Sequence, residues 1–386
     1  MTGGIVMEGY PHIKFREHWE ISSQTEYHLG ECEAMVRAIS NTPLRPQDRG
    51  KLLTVSLVKG AQATTAIEGN TLTQEEVERI FEGEELPPSR EYLQKEVKNV
   101  IDAFNWLLDK VVRDGKEWPV TPELIQKFHM MISRDLGEHL DAIPGRWRED
   151  RRQVGPYLTP EHRHVPGLID KLCKWIKEEF HFHKNQDFRT AVIQAIVTHV
   201  YIEWIHPFGD GNGRTGRMIE FFVLLRAGLP SIASHILSNF YNQTRTDYYR
   251  QLNIGRKQQS LTNFIEYAVL GFRDGLVENL KIIQAGQLKI FWRNHIFESF
   301  SDIQYTKRNV FKRKRDLMLS APIDRWLTPD EIITTKTEVI KEYASLGTET
   351  LKRDLKELIK MGLLVQKGKL FHANTQTLQA SLPEKK

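Results

Sequence analysis

At 386 residues the chain is too long for one compact core of ordinary size, and its length predicts two or three domains. Its balance of apolar and charged residues is that of a soluble globular protein, and a formal charge of +4 is too mild to argue for nucleic acid on its own. Cys32 and Cys173 are too few and too far apart for a disulfide framework or a zinc site. Together with the lack of a basic stretch followed by an apolar core at the N-terminus, and of any run of about 18 apolar residues, they lead us to expect a cytoplasmic protein with no membrane span.

Most of the chain reads as helix, because apolar residues recur three and four positions apart and few alternating runs reach strand length. Residues 46–68 predict one helix that stops at Gly69-Asn70, and Thr73 with Glu76 forms a capping box for a second, so two helices meet in a tight corner just after Glu68. Residues 84–91, EELPPSRE, predict a loop. A helix begins at Thr121-Pro122, the stretch RRQVGPYLTP predicts a short hairpin or flap, and LIDKLCKWIKEEF another helix. Residues 187–205 form a further helix with Ile193, Val197, Val200 and Trp204 on one buried stripe, delivering His206 at its end.

The last hundred residues differ in character. A basic cluster, KRNVFKRKR at 307–315, precedes a segment that reads helix, turn, helix and two short strands, with Thr328, Pro329 and Glu331 forming a capping box. That order predicts a winged helix-turn-helix. Lys352, Arg353, Lys356 and Lys360 on its second helix, with Lys367 and Lys369 at the wing tip, form a phosphate-facing set, so DNA contact through this domain is one expected partnership.

The most informative stretch is HPFGDGNGRTGR, residues 206–217. It is not a Walker loop, because arginine stands where lysine is needed and the loop follows a helix instead of a strand. Nor is it an EF-hand, whose fifth, sixth and twelfth positions would be Arg214, Thr215 and Phe221. What remains is an anion site at the start of a new helix, where free amides and the helix dipole favour negative charge and glycines allow close approach. Asn212 adds an amide donor, and Arg214 and Arg217, three apart, share a helix face and can grip a polyphosphate together. Asp210 would repel that anion unless a hard divalent cation such as magnesium lay between them. His206 on the rim is placed to act as general base toward a hydroxyl attacking phosphorus.

With every position of the signature filled, the sequence resembles the Fic family: His-Pro-Phe, any residue, Asp or Glu, Gly-Asn-Gly-Arg, two residues, Arg. The resemblance covers roughly residues 120–275. It implies a mainly α fold: a Fic-type helical core with a short β-hairpin flap, to which the C-terminal winged helix is added. The expected domains are 1–115, 116–285 and 286–386.

The resemblance further implies transfer of AMP from ATP to a Ser, Thr or Tyr hydroxyl of a target protein, releasing pyrophosphate. In this reading His206 is the base, Asp210 holds magnesium or manganese, Gly211, Asn212 and Gly213 cradle the α and β phosphates, and Arg214 and Arg217 hold the β and γ end. The target protein would pair along Val154–Pro160; a homodimer is a further partnership consistent with this reading.

Residues 64–70, TTAIEGN, add a regulatory expectation. A carboxylate in the last turn of a helix opposes the dipole by about 0.3 to 1 kcal/mol, so Glu68 calls for a cationic partner. Thr64, Glu68 and Gly69 resemble the Fic inhibitory motif, which implies that Glu68 pairs with Arg217 and takes the space of the γ-phosphate. Two alternatives remain open from the sequence: de-AMPylation by the same site, and a DNA-binding regulator acting through the C-terminal domain.

Overall fold

The computed structural model describes residues 9–114, 118–180, 186–301, 308–335 and 337–378. The chain divides into two compact units, residues 1–280 and 281–386. The domain junction expected at 115 and Lys307 of the basic cluster lie outside the described residues, while the junction expected at 285 falls within one continuous helix.

Unit 1 holds α1 (Ser23–Asn41), α2 (Pro46–Ile67), α3 (Gln74–Phe81), α4 (Glu91–Asp114), α5 (Pro122–Ile132), the strands β1 (Gln153–Val154) and β2 (Tyr157–Leu158), then α6 (Val165–Glu179), α7 (Phe188–Ile205) and α8 (Asn212–Arg226). After these come α9 (Ser231–Ser234), α10 (Ile236–Gln243), α11 (Arg245–Gln258) and the first part of α12 (Thr262–Ser299). The α7/α8 pair is the centre of the unit: α6 and α1 pack on α7, while α5, α4 and α2 pack on α8. The single buried stripe expected on α7 is too narrow, because Ala191 through Ile202 are buried without a break. This helix is rich in Val and Ile, which propensity alone would not favour; burial on all sides overrides it. Asp187 starts the helix by accepting the Thr190 N–H at 2.9 Å.

The capping boxes at Thr73/Glu76 and Thr328/Glu331 form as their spacing predicts. The flap is a two-stranded antiparallel hairpin with register Gln153↔Leu158 and Val154↔Tyr157, turning at Gly155-Pro156 with Gly155 at φ 54°.

Unit 2 contains the rest of α12, α13 (Arg308–Ser320), α14 (Pro329–Ile333), α15 (Thr337–Ala344), α16 (Thr348–Lys360), β3 (Leu364–Lys367) and β4 (Leu370–Ala373). Its core gathers Leu317, Val339, Leu351, Leu355, Leu358 and Leu364. The hairpin β3/β4 is joined by Leu327, which exchanges two backbone hydrogen bonds with Phe371 at 2.8 and 2.9 Å. Asp354, fully buried, ties α16 to α13 through Arg313 Nε at 2.8 Å and to α15 through the Tyr343 hydroxyl at 3.0 Å. Among the described residues no helix is long and apolar enough to cross a membrane. Cys32 and Cys173 are free and buried.

His235 gives unit 1 a pH dependence. Its ring is stacked on Phe221 at 4.3 Å and edge-on to Phe104 at 4.4 Å, neither nitrogen has a hydrogen-bond partner, and burial pushes its pKa down to about 3. The unfolded chain takes up a proton near pH 6.5 while the folded chain does not until about 3. Stability that is complete above 6.5 is therefore lost as the pH falls from 6.5 toward 3, at about 1.4 kcal/mol per pH unit. In denaturant titrations between pH 7 and 4.5, His235→Phe is expected to lose less stability than the parent over the same interval; equal slopes would refute the assignment.

Candidate functional site

The loop 206–211 is held by its own residues and by helices far away in sequence. His206 ends α7 in the left-handed region, φ 52° and ψ 61°, where a non-glycine residue is uncommon, and Gly211 at φ 76° opens α8. Asn212 corrects an expectation. Its side-chain amide does not face an anion: Nδ2 donates to the Phe208 carbonyl at 2.9 Å and Oδ1 accepts the Phe208 N–H at 2.8 Å, clamping the loop. The donors left for an anion are backbone amides of the first turn of α8.

Beneath the loop, the fully buried Phe208 stacks on His129 at 3.7 Å. His129 Nδ1 accepts the Gly145 N–H and Nε2 donates to the Asp210 carbonyl, each at 2.9 Å, which defines the neutral tautomer. Burial pushes its pKa down to about 4, so it stays neutral near pH 7.

The two arginines of α8 are buried and separately engaged. Arg217, 1% exposed, gives Nη2 to Glu68 Oε1 at 2.5 Å and to the Thr64 carbonyl at 3.0 Å, and Nε to Thr64 Oγ1 at 2.8 Å. Its Nη1 faces the Tyr248 hydroxyl at 3.5 Å and Glu203 Oε1 at 3.9 Å. Burial disfavours the Arg217 charge, but Glu68 and Glu203 outweigh it and raise the pKa further. Glu68 is the C-cap of α2, so the carboxylate that opposed the helix dipole has its cationic partner. It lies against the first turn of α8, since a Cβ added at Gly213 would collide with its Oε1.

Arg214, 2% exposed, pairs with Glu96 of α4 and reaches Asp210 Oδ1 at 3.3 Å. Glu96 also accepts from Asn70 Nδ2 at 2.8 Å. The two arginines therefore hold different carboxylates, in place of the shared open face that their spacing predicts.

His206 has Nδ1 buried without a hydrogen-bond partner. Burial lowers its pKa, Arg148 lowers it further, and Glu203 and Glu68 oppose them; the net direction keeps the imidazole neutral, the form a base requires. Asp210, with its side chain 39% exposed, is the carboxylate expected to hold a cation. Among the described residues no three or more His, Cys, Asp or Glu side chains are grouped to hold a metal ion. The residues present therefore fit a hard cation only where one carboxylate is completed by ligand oxygens and water, the arrangement magnesium favours.

Several contributors carry little or no signal in the sequence. Glu203 stands one turn before His206, a spacing that marked it in principle. Burial pushes its carboxyl up, but His199 and Arg217 outweigh that and hold it at about 2. Its Oε1 accepts the Tyr248 hydroxyl at 3.1 Å. Glu96, Tyr248 and Arg148 gave no local signal. Between flap and α11 lies a cavity of about 540 Å³ whose lining includes Tyr157, Glu203, Trp204, Tyr249 and Asn253, within the size range of small-molecule sites. The Tyr157 hydroxyl donates to the Trp204 carbonyl at 2.6 Å and pairs with His12 Nε2 at 3.0 Å, fixing the flap beside α7.

The profile of the Fic/DOC family matches residues 119–224. The chain carries a Fic/DOC domain. This Fic domain spans the segment from just before α5 to near the end of α8, including all of the loop, while Glu68 and Glu96 lie outside it. The chain is 27% identical over 191 residues to the protein adenylyltransferase Fic of Nematostella vectensis, covering 49% of this chain and 41% of that protein. It is 28% identical over 215 residues to a probable protein adenylyltransferase of Aquifex aeolicus, covering 51% and 64%. The chain thus spans less than two thirds of the length of these curated relatives. A Fic family protein from Desulfovibrio desulfuricans has a similar fold, with a TM-score of 0.56 at 20% identity over 93% of this chain and 98% of that one. So has Fic-1 of C. elegans, residues 134–508, at 0.57 and 18% over 69% and 74%.

Removing the partner of a buried charge tests the arginine pairs. Glu96→Ala leaves Arg214 buried beside Asp210 alone and is expected to cost about 3 kcal/mol in urea unfolding. Glu96→Gln, which keeps a hydrogen-bond acceptor, is expected to cost clearly less. Equal stability of Glu96→Ala and the parent would exclude a structural role for the pair.

Proposed function

We propose that the chain is a protein adenylyltransferase of the Fic type, autoinhibited by Glu68. The observation that carries this reading is the ion pair at 2.5 Å between Glu68 and the buried Arg217, set against the first turn of α8 beside a neutral His206. The names of the curated relatives support the same chemistry.

In this reaction His206 takes the proton of a Ser, Thr or Tyr hydroxyl of the target. The hydroxyl oxygen bonds to the α-phosphorus of ATP, the bond from that phosphorus to the bridging oxygen breaks, and pyrophosphate leaves with that oxygen. The backbone amides of Asn212 and Gly213 face the α and β phosphates, joined by that of Gly211, which donates to Asp210 Oδ1 in this structure, once Asp210 turns to a cation, and Arg214 and Arg217 bind the β and γ end. Asp210 would hold magnesium or manganese, which would neutralise phosphate charge. The cavity beside Tyr249 and Asn253 is large enough to receive the nucleoside, and the target strand adds to the flap at Val154–Pro160. Glu68 occupies the guanidinium that the γ-phosphate needs, so ATP in its presence binds out of line.

Auto-AMPylation with labelled ATP tests both parts. Glu68→Gly is expected to raise transfer by about tenfold or more, equivalent to about 1.4 kcal/mol of competition removed; equal rates in Glu68→Gly and parent would remove Glu68 from the mechanism. Adding His206→Ala to that variant is expected to lower transfer by about a hundredfold or more. Full activity of the double variant would sink the base assignment.

A second function for unit 2 has its own support: Lys352, Arg353, Lys356 and Lys360 on α16, Lys367 at the end of β3 and Lys369 on the turn that follows are all exposed. These cations would contact DNA phosphates. Binding that weakens steeply with salt, and is lost when Lys352, Arg353 and Lys356 are all changed to Glu, is the expected result; no binding of the parent to DNA at low salt would end this reading.

A further inference from the structure

Arg148, in the loop between α5 and β1, is 6% exposed and unusually employed. Its Nε donates to the His206 carbonyl at 2.7 Å, its Nη2 to the Pro160 carbonyl at 2.5 Å and its Nη1 to the Asp150 carbonyl. Its backbone N–H donates to the Pro207 carbonyl at 2.9 Å. One residue thus joins the entry to the flap, the exit from the flap and two consecutive carbonyls of the 206–211 loop.

Two physical arguments give this arrangement a purpose beyond packing. First, a buried guanidinium whose partners are carbonyl dipoles is expensive, because dipoles offset less of the desolvation cost than a carboxylate would. Among the described residues no carboxylate lies within ion-pair distance of Arg148 to lower it. What the guanidinium supplies in return is a rigid planar fork able to bridge three segments at once. Second, His206 has a left-handed backbone without being glycine, a conformation that persists only where the surroundings over-determine it. Arg148 supplies that constraint from the carbonyls of His206 and Pro207.

We propose that Arg148 is the positioning residue for His206, locking the left-handed backbone at 206–207 and both ends of the flap into one rigid piece, so that base and target strand are presented together. The proposal rests on the transferase reading for its consequence in catalysis, though not for its geometry. Arg148 also brings a positive charge to His206. The other charged groups acting on His206 are Glu203 from α7 and Glu68 from α2, both of opposite sign.

The test uses Arg148→Gln and Arg148→Lys in the full-length Glu68→Gly protein. Auto-AMPylation is followed for kcat, for KM toward ATP and for its pH profile, and the His206 ring is titrated by NMR in histidine-labelled protein, with His206→Asn assigning the signal. Both variants are expected to lose about tenfold or more in kcat, with KM for ATP within about twofold, because misplacement of a catalytic group acts on the chemical step. In Arg148→Gln the acidic limb of the profile and the NMR titration of His206 move to higher pH, since a neighbouring positive charge has gone; in Arg148→Lys they stay in place. Guanidinium added to Arg148→Ala is expected to restore part of kcat, which keeps the test decisive where one variant folds poorly.

Unchanged kcat in Arg148→Gln, a loss shared equally between kcat and ATP affinity, or a His206 titration indifferent to the charge at 148 would each overturn the proposal. A Glu68→Gly protein that transfers no AMP would count against the transferase reading alone, and the NMR titration would still decide for or against Arg148.

Discussion

The arrangement of this site depends on one buried charge. Arg217 has almost no contact with solvent, and a guanidinium in that position must find its compensation inside the protein. It does so from three directions: Glu68 and Thr64 at the end of α2, Glu203 on α7, and the Tyr248 hydroxyl on α11. Three helices separated by up to about 180 residues of sequence are thereby bound to the first turns of α8. The same charge explains Glu68, which sits at the wrong end of a helix for its sign and is stable there because a cation meets it. Tyr249, next to Tyr248, extends the connection by donating its hydroxyl to the carbonyl of Ile67, the last residue of α2, at 3.2 Å. The end of α2 and the wall of the cavity beside α11 are therefore in direct contact.

A second constraint acts on the loop between α7 and α8. A chain that leaves one buried helix and enters another within six residues has many backbone groups to satisfy, and most are satisfied locally. Asn212 takes both polar groups of Phe208, His129 takes the Asp210 carbonyl, and Arg148 takes the carbonyls of His206 and Pro207 through its side chain and its own N–H. What is left over is the set of amides at the start of α8, which no residue inside the helix can reach. A loop so fully occupied elsewhere has one place to receive an anion.

This separation also marks what could be read from the sequence. The helices, the capping boxes at Thr73 and Thr328, the flap turn at Gly155-Pro156 and the start of α8 after the glycines all follow from local rules, because each depends on residues within a few positions of one another. Periodicity predicts too narrow a stripe on α7, because it sees one face and a helix surrounded on all sides has no single one. An amide beside glycines, such as that of Asn212, looks free in the sequence until the loop closes around it. Glu96, Tyr248 and Arg148 were not legible: each meets its partner across 31 to 118 residues, and nothing in their own neighbourhoods distinguishes them from surface residues. The pairing of Glu68 with Arg217 follows from family resemblance alone; the helix dipole calls for a cation beside Glu68 and does not specify which.

The carboxylates of the site already stand where phosphate oxygens would be expected. Glu68 faces Arg217, Glu96 and Asp210 face Arg214, and all lie near the positive end of α8, so without a ligand the protein supplies its own anions to its own cations. These anions are not equally replaceable. Glu96 has its side chain 5% exposed and is held by Asn70, so displacing it would strand a charge in the interior, whereas Glu68 is 29% exposed and can turn toward water. On the proposed reading, an incoming polyphosphate therefore competes at Arg217 and adds to Arg214 without breaking its pair with Glu96. Control then resides in the one pair of which the carboxylate can leave at modest cost, and the second arginine serves as a fixed point against which the ligand is aligned.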